Sequence, residues 1–516
     1  MKKLLLGRSV VMQFLALLFF LLAIRVLYFY LQPEEVLVGV IPDDAFYYLD
    51  LARHRATFGV WSLDGVTTAT GFHLLYAYLL LAIYKIAPQV SIHTLFLIIG
   101  VLSVLAISSA AYFTAKVGAK FTDRYGGLIA LAPFFAWASL IQVSQLMESW
   151  LVIYCSALSI YLILNESGIN AVKALGLFIA GVLGSLARSD FGMLPGVLFA
   201  CLLFGYPWWG NRLALFRTFF LLLGAASGVG LVLLHNFAIS GHIFQSSAQT
   251  KLYWSLLFGH KIYAPLSLFS GAVIPMGGGS FPVIVVLALI SILCILSSLV
   301  FFKSGPQQEK SRRQFILMIA CASVIMAYLN FYRFNSEALQ IWYFANFLIP
   351  YCLLLAIGCS LAFPVHVKSI SYFIVGIYLT LGLSKLFHSP WPYQKQMMAA
   401  GQYIALDKSG ALYGAWNAGI VNYYSGGKVI NLDGLVNDEV LDYIKSNRLF
   451  NYLKDKNIRF IVDDVEMLST PRLQKKGGYE DERMERCIKL KEVINTGSYG
   501  REPVKMGLFE IQEGCP

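Results

Sequence analysis

In the stretch GVIPDDAFYYLDLARH, residues 39–54, two carboxylates stand side by side at Asp43 and Asp44, shortly past the first apolar run. Like-charge repulsion in such a pair raises one pKa toward neutrality, which suits a general base that takes a proton from a hydroxyl. The same loop carries Asp50, Asp64 and His73. Further along, Glu148 stands in SQLMESW, and Arg188 and Asp190 in LARSDFG. Tyr332, Arg333, Glu337 and Trp342 fall in NFYRFNSEALQIWYF, while His242, Lys251, His260 and Lys261 lie between 238 and 281. Arginines of this set can hold a phosphate through paired hydrogen bonds.

Each residue also has a plainer reading. Arg188 with Asp190, or Arg333 with Glu337, would serve as simple ion pairs, lone histidines such as His73 and His242 as structural groups, and Asp64 as a turn former before Gly65. The collection matters more than any member. Charged groups beside hydrocarbon are costly, so they pair, line a wet cavity or do chemistry. Acids and arginines from four separate segments are expected to share one polar cavity.

The elements that must position them are membrane helices. Of 516 residues, 58% are hydrophobic and 13% charged, against about 25% charged in soluble domains. Runs such as FLALLFFLLAI and FPVIVVLALISILCILSSLVFF mark a multi-span protein. The N-terminal run is too long for a signal peptide and no small-x-small site follows it, so it reads as a retained span. Spans are expected at 10–31, 93–115, 126–146, 149–165, 172–188, 190–207, 214–237, 282–302, 314–333, 340–362 and 369–388. The run 71–88 is read as a juxtamembrane helix. That choice places Lys2, Lys3, Arg8, Lys116, Lys120, Arg124, Lys173, Arg212, Arg217, Lys303, Lys310, Arg312, Arg313 and Lys368 on one side, as the positive-inside rule requires. The expected fold class is thus an all-α polytopic membrane bundle of eleven helices, with juxtamembrane helices in the first outer loop. The N-terminus is expected in the cytoplasm of an inner (plasma) membrane protein and the tail outside.

That tail differs in character. A helical stretch at 438–456 is followed by strand-like IRFIVDD, KLKEVINTGSY and MGLFEIQ, giving a small C-terminal α/β extracytoplasmic domain over 389–516, behind a transmembrane domain over 1–388. The net charge of +11 is explained by basic cytoplasmic loops, and no basic, aromatic-interleaved strip points to nucleic acid. Cys155, Cys201, Cys294, Cys321, Cys352 and Cys359 fall in apolar spans as small hydrophobes, whereas Cys487 and Cys515 stand in the polar tail and can pair if it faces an oxidising compartment.

The stretch DDAFYYLDLARHRATFGVWSLDGVTTATGFHLLY resembles the first outer loop of bacterial membrane glycosyltransferases of the C fold class. That class includes protein O-mannosyltransferases, lipid A aminoarabinose transferases and the oligosaccharyltransferase catalytic subunit. QLMESW resembles a Met-Glu element, LARSD an Arg-x-Asp element, and WNAGIVNYYSGGKVINLDGLVND a tail motif of one bacterial subgroup. TATGFHLLY departs from the subgroup, which has Asn before the glycine and a Pro-Leu-Trp ending.

The resemblance implies transfer of a sugar from a polyprenyl-phosphate-linked donor to a glycan, lipid or protein acceptor among membrane lipids. The acidic pair is central, with Asp43 favoured over Asp44, and Glu148 matches the second acidic position. His73, Arg188, Asp190, Tyr332, Arg333 and Glu337 are expected to bind substrate, the donor phosphate lying near Arg188 or Arg333. No obligatory cofactor is expected, and Mg²⁺ or Mn²⁺ is retained as an optional cation on the acids. Two rivals stand beside this reading: a transporter or flippase of lipid-linked sugars, and a non-catalytic scaffold binding glycan through WNAGIVNYYSGG.

Overall fold

The structure is a computed structural model that describes residues 2–164, 168–206, 212–273, 309–494, 505–512 and 514–515, with a few positions between 282 and 298. The chain divides into two compact units. One comprises Met1–Tyr28, Phe96–Val232 and His260–His388; the other comprises Phe29–Leu95, Leu233–Gly259 and Ser389–Pro516.

Among the described residues five helices are long and apolar enough to cross a bilayer: Val10–Tyr30, Ile92–Phe121, Arg212–Ser240, Glu309–Asn335 and Ile341–Ala362. The shortest has 21 residues, about 32 Å at the α-helical rise, which matches the hydrocarbon thickness. Shorter apolar helices run over Ser149–Leu164, Ala171–Ala187, Ser189–Phe204, Tyr263–Val273 and Val367–Leu383. The span expected at 282–302 falls largely outside the described residues. Helix Leu74–Ile86 has 13 residues, about 20 Å, too short to cross unaided.

The first unit packs around Ile341–Ala362, whose span is 94% buried. One expected span is not straight. Between 124 and 144 the chain forms Arg124–Phe135 and Trp137–Ser144, bent by 70°. Pro133 lies in the single 3₁₀ turn at the break, and Ala136 turns to an extended backbone, ψ 145°. Proline lacks the donor that would continue the helix, so the break falls there. The bend is tied by Arg25, fully buried, whose Nε donates to Ser144 Oγ at 2.9 Å and whose Nη1 donates to Leu386 O. A buried guanidinium held by a hydroxyl and a carbonyl meets the demand that charge at membrane depth be satisfied internally.

The second unit contains a five-stranded sheet: β1 Leu412–Ala415, β2 Val429–Asn431, β3 Ile458–Asp464, β4 Ile488–Ile494 and β5 Met506–Ile511, in the order β2-β1-β3-β5-β4. β1 pairs in parallel with β2 and β3, while β5 runs antiparallel to β3 and β4. The parallel crossovers are short helices, among them Ala418–Ser425, Val440–Lys445 and Leu449–Asp455. Leu432, Leu449, Phe450, Tyr452, Leu453 and Ile461 form the core beneath them. Cys487 and Cys515 are bonded, with Cα atoms 5.8 Å apart. The first-loop helix Asp43–Phe58 belongs to this unit and is buried nearly all round, through Phe46, Tyr47, Leu49, Asp50, Leu51 and Ala52.

Candidate active site

Helix Asp43–Phe58 begins after Pro42 and stops at Gly59, whose φ of 77° gives the left-handed cap, with its N–H on Arg55 O at 3.2 Å. Asp43 and Asp44 occupy its first turn, where the helix dipole favours negative charge. Asp43 also faces a second helix start. Its carboxylate accepts from the backbone N–H groups of Gly419 (3.3 Å) and Ile420 (2.7 Å), at the beginning of Ala418–Ser425. Asp43 is 9% exposed, while Asp44 is only half-buried.

One turn on, Tyr47 donates to Asp433 Oδ2 at 3.0 Å and accepts from Ala418 N–H and Asn431 Nδ2, each at 3.2 Å. Asp433 is held in turn by Leu435 N–H at 2.6 Å. Burial pushes Asp43 up to about 7 against the pull of its Ile420 and Gly419 hydrogen bonds. Burial likewise pushes Asp433 up to about 8. The next turn carries Asp50, which accepts from Arg53 at 2.6 Å and from Asn422 Nδ2 at 2.8 Å. The first loop and the tail motif therefore interlock residue by residue.

Two glycines permit that fit. A Cβ on Gly419 would stand 2.3 Å from Asp43 O, and one on Gly71 would stand 1.6 Å from Leu435 O. Asp64 accepts from Ser62 Oγ, Val66 N–H, Thr67 N–H and Thr67 Oγ1, as expected of a turn former. His73 caps helix Leu74–Ile86, its N–H donating to Tyr48 OH at 3.2 Å.

In the first unit Arg188 ends helix Ala171–Ala187. Its Nη1 donates to Glu148 Oε1 at 2.8 Å, while Nε and Nη2 grip Asp190 at 3.1 and 2.9 Å. Tyr332 OH donates to Asp190 Oδ2 at 2.7 Å and accepts from Asn346 Nδ2, and the Tyr343 ring lies 4.7 Å from the guanidinium carbon. Glu148 and Arg188 are 1% and 3% exposed. Two carboxylates thus share one guanidinium. Glu337 pairs with Lys261 at 2.8 Å rather than with Arg333. Arg333 lies over Phe334, and its Nε is buried without a hydrogen-bond partner among the described residues.

Residues 388–499 match a family described as a domain of unknown function, DUF8728. No curated protein matches the chain in sequence. Among solved structures, ArnT of Cupriavidus metallidurans bound to undecaprenyl phosphate is similar at TM-score 0.55 and 10% identity, over 96% of this chain and 98% of that one. The apo form of the same enzyme gives 0.52 and 11% identity, over 92% and 95%. Archaeal oligosaccharyltransferase AglB of Archaeoglobus fulgidus, with an inhibitory peptide and a dolichol-phosphate, gives 0.50 and 13% identity, over 94% and 74%. The chain has the GT-C fold.

Within this GT-C fold the structure brings Glu148, Arg188, Asp190 and Tyr332 into one hydrogen-bonded group, and sets Asp43, Tyr47 and Asp433 around the start of helix Ala418–Ser425, with Asp44 in the same helix turn as Asp43. Tyr47, Asn422, Asn431 and Asp433 were not among the expected site residues. The tail motif was their signal, since it places two asparagines and an aspartate around β2. Asn346 and Tyr343 carried no signal, because both sit in an apolar run. Among the described residues no three His, Cys, Asp or Glu side chains converge as a cation shell. Both Asp43 oxygens face backbone N–H groups, a setting that does not suit a metal ligand.

Proposed function

We propose that this protein is a membrane glycosyltransferase that moves a sugar from a polyprenyl-phosphate donor to an acceptor hydroxyl. One observation carries the reading: the fold match to ArnT, whose crystal structure holds undecaprenyl phosphate, runs over nearly the whole of both chains. In this reading the N-terminus is cytoplasmic, and residues 389–516 form a domain outside an inner membrane. The Cys487–Cys515 bond supports that orientation, since disulfides persist in oxidising compartments.

The two acids take different roles. Asp43 is the positioning residue, because its carboxylate is spent on Gly419 and Ile420 N–H groups at 3.3 and 2.7 Å. Asp44 follows it on the same rigid turn and stays half-buried, so Asp44 is the general base. It takes the acceptor proton as that oxygen attacks the anomeric carbon, the bond to the lipid phosphate breaks, and direct displacement inverts the centre. Arg333 is the candidate cation for a phosphate, since its Nε is buried without a hydrogen-bond partner among the described residues, whereas three of the five N–H donors of Arg188 are engaged by Glu148 and Asp190. Glu148, Asp190 and Tyr332 hold Arg188 in place, and His73 and Glu337 are kept as substrate contacts.

The test is loss of radiolabelled sugar from undecaprenyl-phosphate-linked donors incubated with the purified chain. Wild type is expected to consume at least one donor, and Asp44→Asn to lose 10²-fold or more, in the general-base range of about 10²–10⁴. Consumption by Asp44→Asn at the wild-type rate would overturn the assignment.

A further inference from the structure

Helix Ser246–Phe258 of the second unit is built inside out. The side chains it buries carry donors: Ser246 Oγ donates to Leu435 O at 2.9 Å, Thr250 Oγ1 to Gly434 O at 2.9 Å, and Trp254 Nε1 to Lys476 O at 3.1 Å. Gln245, just ahead of it, donates through Nε2 to Phe72 O at 2.6 Å. The inner face is thus spent on backbone carbonyls, which need partners once buried. The apolar residues are turned away. Leu252 and Leu256, one helical turn apart, are 42% and 64% exposed among the described residues, and Ile243 and Phe244 are at least half exposed. Buried donors beneath an exposed apolar stripe reverse the pattern of a helix in water. Such a stripe marks a surface that something apolar covers.

The way the chain leaves the membrane decides what that cover is. Span Arg212–Ser240 stops at Gly241, whose φ is 75° and whose N–H donates to Phe237 O at 2.9 Å. The chain then folds back. Asn236 Nδ2 donates to Ile243 O at 3.1 Å, so Ile243 stands beside the last turns of the span and not beyond them. At that level the span meets aromatic rings: exposed Tyr78 and buried Trp61 lie 5.9 and 6.2 Å from His235, as Tyr and Trp do at the edge of the hydrocarbon. Leu234 and Phe237 on the same span end are exposed, and Ile243 and Phe244 continue that apolar surface along the chain. From Ile243 to Gly259 the chain has no acid and one base, Lys251, so no charge there repels lipid phosphates. We propose that helix Ser246–Phe258 lies along the membrane surface at the Ser240 end of the span, with Phe244, Leu252 and Leu256 seated among lipid headgroups and upper acyl chains. Through Ser246 and Thr250 the bilayer then supports the turn of the tail motif at Gly434 and Leu435. The inference concerns lipid contact alone and stands whether or not the transfer reaction does.

Nitroxide quenching on the full chain in phosphatidylcholine nanodiscs tests it. Phe244→Cys and Leu256→Cys are labelled with the fluorophore NBD, with Lys408→Cys, exposed on the tail, as the reference and wild type as the blank for native thiols. The lipid carries a nitroxide near the head of its acyl chain, the depth of an interfacial helix. NBD at both positions is expected to lose about half of its emission or more, and at Lys408 almost none. Leu252→Cys replaces either variant if its melting temperature falls below that of wild type. The proposal is overturned if either position is quenched no more than Lys408, or if NBD there is shielded from water without being quenched, as contact with a second copy or another protein would produce.

Discussion

At the residue scale the two adjacent acids differ in burial, Asp43 being buried and Asp44 half-buried. Asp43 anchors two backbone N–H groups of another helix, so Asp43→Ala is expected to destabilise the second unit by about 1–3 kcal/mol, the cost of leaving buried donors without a partner. Asp44→Asn should leave the melting temperature within a degree or two while abolishing transfer, and equal melting losses in both variants would contradict the division of roles. The buried acids also set a pH dependence. Asp43 and Asp433 are pushed up to about 7 and about 8, against about 3.9 unfolded. The native state then binds more protons than the unfolded chain between about pH 4 and 8, and its stability falls as pH rises through that window. Melting temperature of the wild type should decline from pH 5 to 8, and Asp433→Asn should flatten the slope. The acid pair was legible in the sequence because adjacency is local. That Asp43 meets Gly419 was not, since 376 residues separate them.

At the scale of elements, close backbone approach decides more than side-chain type. Gly71 precedes helix Leu74–Ile86 and abuts Leu435 O, so Gly71→Ala forces a 1.6 Å clash that no rotamer relieves. It should cost about 1–3 kcal/mol or prevent folding, read as loss of monodisperse protein, whereas Gly176→Ala, with open space around it, should behave as wild type. The Arg188 group is a further case. Arg188→Ala leaves the Glu148 and Asp190 carboxylates buried without their guanidinium. Destabilisation of about 3–5 kcal/mol is expected by thermal melting, and Arg188→Ala with unchanged melting would show that water compensates both acids. Apolar runs made most helices readable, and β3 falls where IRFIVDD placed it. The 70° break at Pro133 was not expected, because hydropathy averages over a span and does not register one missing donor.

At the scale of the whole molecule, three distant segments build the second unit: Phe29–Leu95, Leu233–Gly259 and Ser389–Pro516. The disulfide closes its last strands, with a sequence separation of 28 between the cysteines. By chain entropy such a link contributes about 3–4 kcal/mol, so Cys487→Ser should lower the melting temperature by several degrees. Mass spectrometry after alkylation should find both thiols blocked only in reduced wild type. A membrane-impermeant maleimide should label a reporter cysteine at Lys408 in intact cells and not one at Lys368, and the reverse pattern would invert the proposed topology.

By itself the sequence determined that this is a multi-span membrane protein with a small mixed domain at its end, and that its acids and arginines cluster at helix termini. Those properties follow from local composition and periodicity, which act over one helix or one strand. Only the tertiary structure decided which acid is spent on backbone N–H groups, that Arg188 is shared between Glu148 and Asp190, and that the first loop locks into the tail motif. Such pairings depend on chain closure across tens to hundreds of residues, where backbone clearance and burial select the partner and residue type alone does not.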